Sequence, residues 1–158
     1  MIIIEKLKNK YLFIDIDGTL AEYRYDDKLY ADKDPKIGSQ NLNELLFGDL
    51  FYKARPLKIM QKLIEQLDPN KIYILGTILT NNEIFQKYKW IEKYYPTIKK
   101  ENIIFISNTM LKPKVILEYQ KHCNIPLENI CFIDDRVDVL TEAELNKIKS
   151  YHISSFID

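Results

Sequence analysis

The 158-residue sequence is poor in the residue types that mark several specialised classes of protein. It has two cysteines, Cys123 and Cys131, without the close spacing of a zinc site, and we expect two buried free thiols in a reducing, cytoplasmic environment. Lys plus Arg equals Asp plus Glu at 23 each, so no net charge draws the chain to nucleic acid or membrane. The apolar run Ile2-Ile3-Ile4 ends at Glu5, too short for a membrane span or a signal peptide, and we interpret it as an edge strand.

The remaining composition is that of an ordinary globular protein, with 46% hydrophobic and 29% charged residues. The length fits one domain that spans residues 1–158, and we find no internal repeat, low-complexity tract or interdomain linker. Membrane association is therefore not expected. The composition leaves the oligomeric state undetermined.

From Tyr11 onward, short apolar runs alternate with amphipathic stretches of helical length. Strands are predicted at Tyr11–Ile14, Ile72–Leu75, Ile103–Ile106, Ile130–Ile133 and Tyr151–Ile153. Helices are predicted at 57–67, 83–95, 114–122 and 137–148, the second with Phe85, Tyr88, Ile91 and Tyr95 on its apolar face and with Trp90 packed in the core. This alternation predicts right-handed βαβ units and hence an α/β, Rossmann-like doubly wound parallel sheet that is covered on both faces.

Residues 21–53 interrupt this alternation. The stretch is polar and rich in tyrosine, including Tyr23, Tyr25 and Tyr30, and only 42–47 has a helical pattern. Because a loop of this length in a compact domain is usually functional, we expect residues 21–53 to form a small cap or lid after the first strand. The three tyrosines are interpreted as a surface turn, with base stacking as the alternative.

Polar residues follow each of the first four predicted strands. They are Asp15 and Asp17 after the first, where Gly18 follows, Thr77 after the second, Lys112 and Lys114 beyond the third, and Asp134 and Asp135 after the fourth. Ligands of parallel α/β sheets bind outside the carboxyl ends of the strands, so these side chains are expected to meet at one edge. The sequence therefore predicts a single polar site.

These residue types favour phosphate chemistry. A carboxylate such as Asp15 is repelled by a phosphate ester, by about 4 kcal/mol for each pair of charges at 4 Å and an effective dielectric of 20. A Mg²⁺ ion shared by Asp15 and the Asp134-Asp135 pair would reverse that repulsion. Thr77 could donate to a phosphoryl oxygen, Gly18 lets the backbone approach the phosphate, and Asp17 could protonate the leaving oxygen and then activate water.

The same residues also have purely structural interpretations. Asp15 to Thr19 could be a tight turn, and one of Asp134 and Asp135 could be a helix cap. Thr80 competes with Thr77 and could instead cap the helix that begins near Asn81. Asp138 is interpreted as an acid of a first helical turn rather than a metal ligand.

The order Asp15-Ile16-Asp17-Gly18-Thr19, Thr77, Lys112-Pro113 and Asp134-Asp135 resembles the haloacid dehalogenase superfamily over about 120 residues. The resemblance implies a haloacid dehalogenase-like fold and a phosphatase that forms an aspartyl-phosphate on Asp15, since the second acid, Asp17, is typical of the phosphatase and phosphotransferase branch. It also implies Mg²⁺ as cofactor. Under this resemblance Asp15, Asp17, Asp134 and Asp135 are predicted metal ligands, and Gly18, Thr77, Lys87 and Lys112 are predicted phosphate-binding residues.

The prediction for Lys87 comes from a more specific resemblance. The segment 87–95, together with Ile133-Asp134-Asp135-Arg136, resembles the 5'(3')-deoxyribonucleotidases, in which the helix after the second motif supplies a phosphate-contacting lysine. Ile78 departs from that family, which often has a second hydroxyl residue there. The resemblance implies a small phosphorylated substrate, with a nucleoside monophosphate as the leading hypothesis.

Two alternative functions are also compatible with the sequence. A phosphatase acting on nucleic-acid ends is compatible with a short lid, although the neutral net charge disfavours a nucleic-acid substrate. A non-catalytic module that binds Mg²⁺ and phosphate is the second alternative, against which the complete set of acids argues.

Overall fold

Five parallel strands form the centre of the structure, a computed structural model that describes residues 2–22, 48–49 and 51–157. The strands are β1 (Tyr11–Ile14), β2 (Ile72–Thr77), β3 (Ile103–Ile106), β4 (Ile130–Asp134) and β5 (Lys149–His152). They lie in the order β3-β2-β1-β4-β5, and each neighbouring pair is parallel. The α/β, doubly wound parallel sheet predicted from the sequence is confirmed.

Helices cover both faces of this sheet. They are α1 (Ile2–Leu7), α2 (Lys58–Ile64), α3 (Asn81–Tyr94), α4 (Lys112–His122) and α5 (Val137–Leu145). The first three helices pack against Leu12 and Ile14 of β1, whereas α4 and α5 pack against Phe13 from the other side. Both faces of the central strands are thus buried, which explains why these strands are continuous apolar runs in the sequence.

Helix α3 buries most of the predicted face together with polar residues that were not predicted to be buried. Phe85, predicted to be apolar core, is 63% exposed, while the buried positions are Glu83, Gln86, Lys87, Trp90 and Ile91. Ile91 and Tyr95 are buried and Tyr88 packs against the core as predicted, so the prediction was wrong for Phe85 alone. The other buried positions include three polar residues, which hydrophobic periodicity could not reveal. Trp90 is in the core as predicted, and its indole N–H donates to the carbonyl oxygen of Ala54 at 2.7 Å.

Two further predictions are corrected. The run Ile2-Ile3-Ile4 begins helix α1 rather than an edge strand, because Ile3, Ile4 and Leu7 have helical spacing and pack against the core. Cys131 is buried in β4 as expected, but Cys123 is exposed because it lies at the C-cap, past the last residue of α4.

Most of the predicted lid lies outside the described residues, including Tyr23, Tyr25, Tyr30 and the helical pattern at 42–47. Its described ends contact the domain. Ala21 forms a β-bridge with Pro56, and the backbone N–H groups of Phe51 and Tyr52 donate to the side-chain oxygen of Gln86. Within the described ranges, no helix is long and apolar enough to cross a membrane.

Candidate active site

A polar cavity of about 270 Å³ lies at the carboxyl ends of the strands. The sheet order places it where β1 and β4 lie side by side and their connections lead to opposite sides, the usual ligand position in such sheets. Its lining residues are Asp15, Asp17, Thr77, Thr109, Lys112, Asp134, Asp135 and Arg136. The structure therefore brings together residues from all four strand ends that the sequence singled out.

Asp15 is the most enclosed acid that reaches the cavity from β1. It is 6% exposed, its Oδ1 accepts a hydrogen bond from Nζ of Lys112 at 2.5 Å, and its Oδ2 accepts one from the hydroxyl of Thr19 at 3.3 Å. Burial, reinforced by the charges of Asp134 and Asp17, outweighs Lys112 and raises the pKa of Asp15 to about 7. Another cation beside Asp15 would favour its ionised form.

Lys112 joins Asp15 to the last residue of β4. Its Nζ also donates to Oδ2 of Asp134 at 2.8 Å, and Lys112 and Asp134 are 1% and 0% exposed. Burial acts to lower the pKa of Lys112, but the charges of Asp15 and Asp134 act more strongly and raise it, so the ammonium group stays protonated. Lys114, the other lysine considered on this segment, is exposed and does not line the cavity.

Three acids form a cluster suited to a metal ion. One carboxylate oxygen from each of Asp15, Asp134 and Asp135 lies within 4.8 Å of the others. Fully ionised, these three acids and Lys112 carry a formal charge of −2, which a divalent cation would neutralise. Burial and the charge of Asp134 raise the pKa of Asp135 to about 6. An all-oxygen donor set with excess negative charge fits Mg²⁺.

Gly18 makes room for this cluster. Its φ is +81°, and a Cβ atom at this position would overlap with the carboxylate of Asp135. His152 contacts Asp135 from β5. Because Nδ1 of His152 accepts from the backbone N–H of Ser154 at 3.1 Å, its Nε2 carries the proton and donates to the carbonyl oxygen of Asp135 at 2.9 Å.

The Asp17 carboxylate, predicted as a fourth metal ligand, is not a member of this cluster in the described structure. Its Oδ2 instead accepts a hydrogen bond from Nζ of Lys87 at 2.7 Å. Lys87 is 2% exposed and is also paired with Glu83. Burial acts to lower the pKa of Lys87, but Asp17 and Glu83 act more strongly and raise it. In the described structure the Asp17 side chain is thus paired with the cation of Lys87.

Two threonine hydroxyl groups meet on another wall of the cavity. Oγ1 of Thr77, at the end of β2, lies 2.7 Å from Oγ1 of Thr109, in the turn before α4. Each hydroxyl has one proton, so whichever group donates, the other keeps its proton for a ligand. Thr80, the competing candidate, accepts from the backbone N–H of Glu83 and caps α3, as its alternative interpretation predicted.

Arg136 lies at the rim of the cavity. Its guanidinium group makes two hydrogen bonds with the carboxylate of Asp138, at 3.1 and 2.7 Å, and both side chains are about half exposed. Asp138 is in the first turn of α5 and not in the acid cluster, in agreement with the sequence. The backbone N–H of Arg136 donates to Oδ1 of Asp134, which fixes that carboxylate.

Four residues around the site had no role in the sequence analysis: Glu83, Thr109, Arg136 as a lining residue, and His152. Glu83 lies four residues before Lys87, a spacing that allows an ion pair on a helix and could have drawn attention. Thr109 and His152 carry no local signal, because their partners Thr77 and Asp135 are distant in sequence. Only the fold brings these pairs together.

Several solved structures have a similar fold. A haloacid dehalogenase-like family hydrolase from Streptococcus pneumoniae matches with a TM-score of 0.54 and 16% identity over 89% of this chain and 82% of that one. A second hydrolase from Streptococcus pneumoniae TIGR4 matches with a TM-score of 0.55 and 9% identity over 90% and 92% of the two chains. The fold is therefore that of haloacid dehalogenase-like hydrolases.

A third match is the N-terminal part of a Bacteroides fragilis protein, which contains a phosphatase domain and is complexed with Mg. Its TM-score is 0.53 and its identity 16%, over 94% of this chain but only 36% of that one. No protein-family model matches the chain, and a search of curated proteins gives no significant match. At these identities the comparisons describe the fold alone.

Proposed function

We propose that this protein is a Mg²⁺-dependent phosphatase of the haloacid dehalogenase superfamily that hydrolyses small phosphate monoesters through an aspartyl-phosphate intermediate. The observation that carries the proposal is the cluster of Asp15, Asp134 and Asp135, whose oxygens lie within 4.8 Å of one another at the carboxyl ends of β1 and β4. A buried lysine beside that cluster, Lys112, supplies the positive charge that an incoming phosphate dianion requires.

Asp15 is the nucleophile in this proposal. A carboxylate oxygen of Asp15 attacks phosphorus, the bond from phosphorus to the ester oxygen breaks, and Asp17 gives its proton to the departing oxygen. Water then attacks the phosphorus of the aspartyl-phosphate and gives a proton to Asp17. Inorganic phosphate leaves, and both carboxyl groups return to their starting protonation states.

Other residues bind and orient the phosphoryl group. Lys112 is held by Asp15 and Asp134 and places its charge at the attack point, while the Thr77 hydroxyl donates to a phosphoryl oxygen. Asp15, Asp134 and Asp135 would hold Mg²⁺, which supplies a positive charge that stabilises the phosphoryl oxygens. Gly18 keeps the space beside Asp135 clear for this arrangement.

The substrate class is a small phosphorylated metabolite, and a nucleoside monophosphate is the first candidate. The described lining of the cavity encloses about 270 Å³, room for a phosphoryl group and the adjoining part of its ester, and it is rich in charge rather than in aromatic surface. The leaving group is therefore expected to extend beyond these residues.

A panel of phosphate monoesters, assayed with Mg²⁺ or with EDTA, tests the proposal. It should contain nucleoside monophosphates, sugar phosphates and a 3'-phosphorylated oligonucleotide, which separates a nucleotidase from an enzyme of nucleic-acid ends. Phosphate release that requires Mg²⁺ and disappears in Asp15→Asn is expected, while the circular dichroism spectrum stays unchanged. Asp138→Asn, in an acid outside the cluster, is the matched control and should retain activity.

Turnover that survives in Asp15→Asn would show that this carboxylate is not the nucleophile. A parent protein that binds Mg²⁺ and phosphate but hydrolyses no ester of the panel would favour the non-catalytic module over an enzyme.

A further inference from the structure

Lys87 is buried behind the site, and its contacts suggest a role different from the phosphate contact expected from sequence. We propose that Lys87, anchored by Glu83, is a positioning residue that holds Oδ2 of Asp17, so that the carboxyl group presents its other oxygen, Oδ1, with the proton for the leaving oxygen. The inference rests on the proposed phosphatase function. It concerns how Asp15 and Asp17, the two acids of the first loop, come to have different roles.

Protein acceptors occupy the hydrogen-bond donors of Lys87. An ammonium group has three N–H donors, and Nζ of Lys87 has three acceptors. They are Oδ2 of Asp17 at 2.7 Å, the carbonyl oxygen of Thr77 at 3.2 Å and Oε2 of Glu83 at 3.2 Å. A phosphoryl oxygen could bind Lys87 only by displacing one of these groups.

Lys87 is buried outside the lining of the cavity. The residue is 2% exposed, its Nζ lies 4.8 Å from the centroid of the Phe51 ring, and it does not line the cavity. The side chain of Asp17, in contrast, is 30% exposed and lines the cavity. Asp17 therefore stands between Lys87 and any ligand, so the lysine reaches the reaction through this carboxylate.

Glu83 completes the arrangement from within α3. It is 3% exposed, its Oε1 accepts from the backbone N–H of Leu79 at 3.0 Å, and its Oε2 contacts Lys87 one helical turn away. The ammonium group of Lys87 is thus held by Glu83 of the same helix and by Thr77 at the end of β2, and its third contact is with Asp17. Asp17, which lies on a loop, is restrained in this way by a helix. Its side chain therefore has fewer conformations to lose when it takes up the geometry of the reaction.

The two lysines of the site have separate partners as a result. Lys112 contacts Asp15 and Asp134, the nucleophile and a member of the acid cluster, whereas Lys87 contacts Asp17 and Glu83. Loss of Lys112 would affect charge at the phosphoryl group. Loss of Lys87 should affect the fate of the leaving oxygen.

The dependence of rate on the leaving group distinguishes these roles. An alkyl alcohol departs only when its oxygen is protonated, but p-nitrophenolate departs without a proton. The ratio kcat/KM includes the step in which the ester bond breaks and excludes the later hydrolysis of the aspartyl-phosphate. A defect in proton donation therefore lowers kcat/KM for an alkyl phosphate selectively, and a lost phosphate contact lowers it for both esters alike.

We would measure kcat/KM for p-nitrophenyl phosphate and for the best alkyl monoester of the panel in Lys87→Met, with Lys89→Met as control. Lys89 lies on the same helix with its side chain 56% exposed. Lys87→Met is expected to lose about 100-fold on the alkyl ester and less than about tenfold on the nitrophenyl ester. Lys89→Met should match the parent on both.

Glu83→Gln is the second variant, because Lys87→Met leaves the buried carboxylate of Glu83 and the partly exposed one of Asp17 without their cation and could fail to fold. Glu83→Gln keeps Lys87 but removes the charge of one anchor. Its kcat/KM should therefore fall less than that of Lys87→Met, and again mainly for the alkyl ester. Calorimetric titration with inorganic phosphate in the presence of Mg²⁺ gives a readout independent of turnover. The affinity of the folded variants for inorganic phosphate should stay within about threefold of that of the parent.

Equal losses on the two esters, or a phosphate affinity that falls with kcat/KM, would overturn the positioning role and leave the phosphatase function standing. A parent protein without turnover on either ester would overturn the function and this inference together.

Discussion

The carboxylate of Asp135 occupies the space in which a side chain on Gly18 would lie. Gly18 also has a φ of +81°, a backbone conformation that residues with a Cβ atom rarely adopt. The first loop and the end of β4 are therefore fitted to each other at the acid cluster. The shape of one loop controls the position of an acid that comes from the other side of the cavity.

Gly18→Ala should weaken Mg²⁺ binding, because the added Cβ must displace the Asp135 carboxylate. The expected loss in affinity is about 10- to 100-fold, as for other residues that orient metal ligands, and calorimetric titration measures it. Gly76→Ala is the control, since its Cβ would press on the end of the Ile16 side chain in the core instead. Equal affinity in Gly18→Ala and the parent would contradict the role of Gly18.

The stability of the metal-free protein should fall as the pH rises. Burial raises the pKa of Asp15 from 3.8 to about 7 and that of Asp135 to about 6, so the folded state holds protons that the unfolded state has already lost. The free energy of unfolding in EDTA should therefore decrease between about pH 4 and pH 7. Urea titrations at several pH values measure this decrease.

Asp15→Asn tests the origin of this pH dependence. The variant removes one of the two raised acids, so its decrease in stability should be smaller than that of the parent, by roughly 1–3 kcal/mol. Mg²⁺ should restore stability to the parent at the higher pH, because it binds the folded state. Parallel curves for parent and variant would show that Asp15 is not the group responsible.

The hydroxyl pair of Thr77 and Thr109 should contribute to turnover. The hydroxyl group of Thr109 lies 2.7 Å from that of Thr77 and orients it, and Thr109→Val removes this group. We expect kcat/KM to fall about three- to tenfold, the value of one hydrogen bond, and to recover in Thr109→Ser. A Ser variant as impaired as the Val variant would attribute the effect to packing of the methyl group instead.

The two cysteines should react with thiol reagents at very different rates. Cys123 is exposed, whereas Cys131 is buried in β4, and burial raises the pKa of its thiol. Native protein should therefore consume one equivalent of a disulfide reagent rapidly and a second only on unfolding. Cys123→Ser should abolish the rapid phase, and a rapid phase that persists in this variant would contradict the burial of Cys131.

Local pattern was sufficient for the sheet and for most of the cavity lining. The apolar runs of β1 and β4 are buried on both faces and each is followed by acids, so one rule about parallel sheets predicted that Asp15 and Asp134 would meet. Tertiary packing decided the structure of the N-terminal segment and the exposure of the residue that ends α4. Ile2–Leu7 became a helix and Cys123 became exposed, for reasons that lie in packing against neighbouring elements.

The sequence by itself determined the order of strands and helices and the set of polar residues at the strand ends, because hydrophobic periodicity and strand position are local properties. Only the tertiary structure decided how those polar residues are paired. Lys112 lies against Asp15, Lys87 against Asp17 and Thr109 against Thr77, each across at least 32 residues of chain. Such pairs are stabilised in the folded chain by burial, which strengthens the interaction between opposite charges and penalises every unpaired polar group.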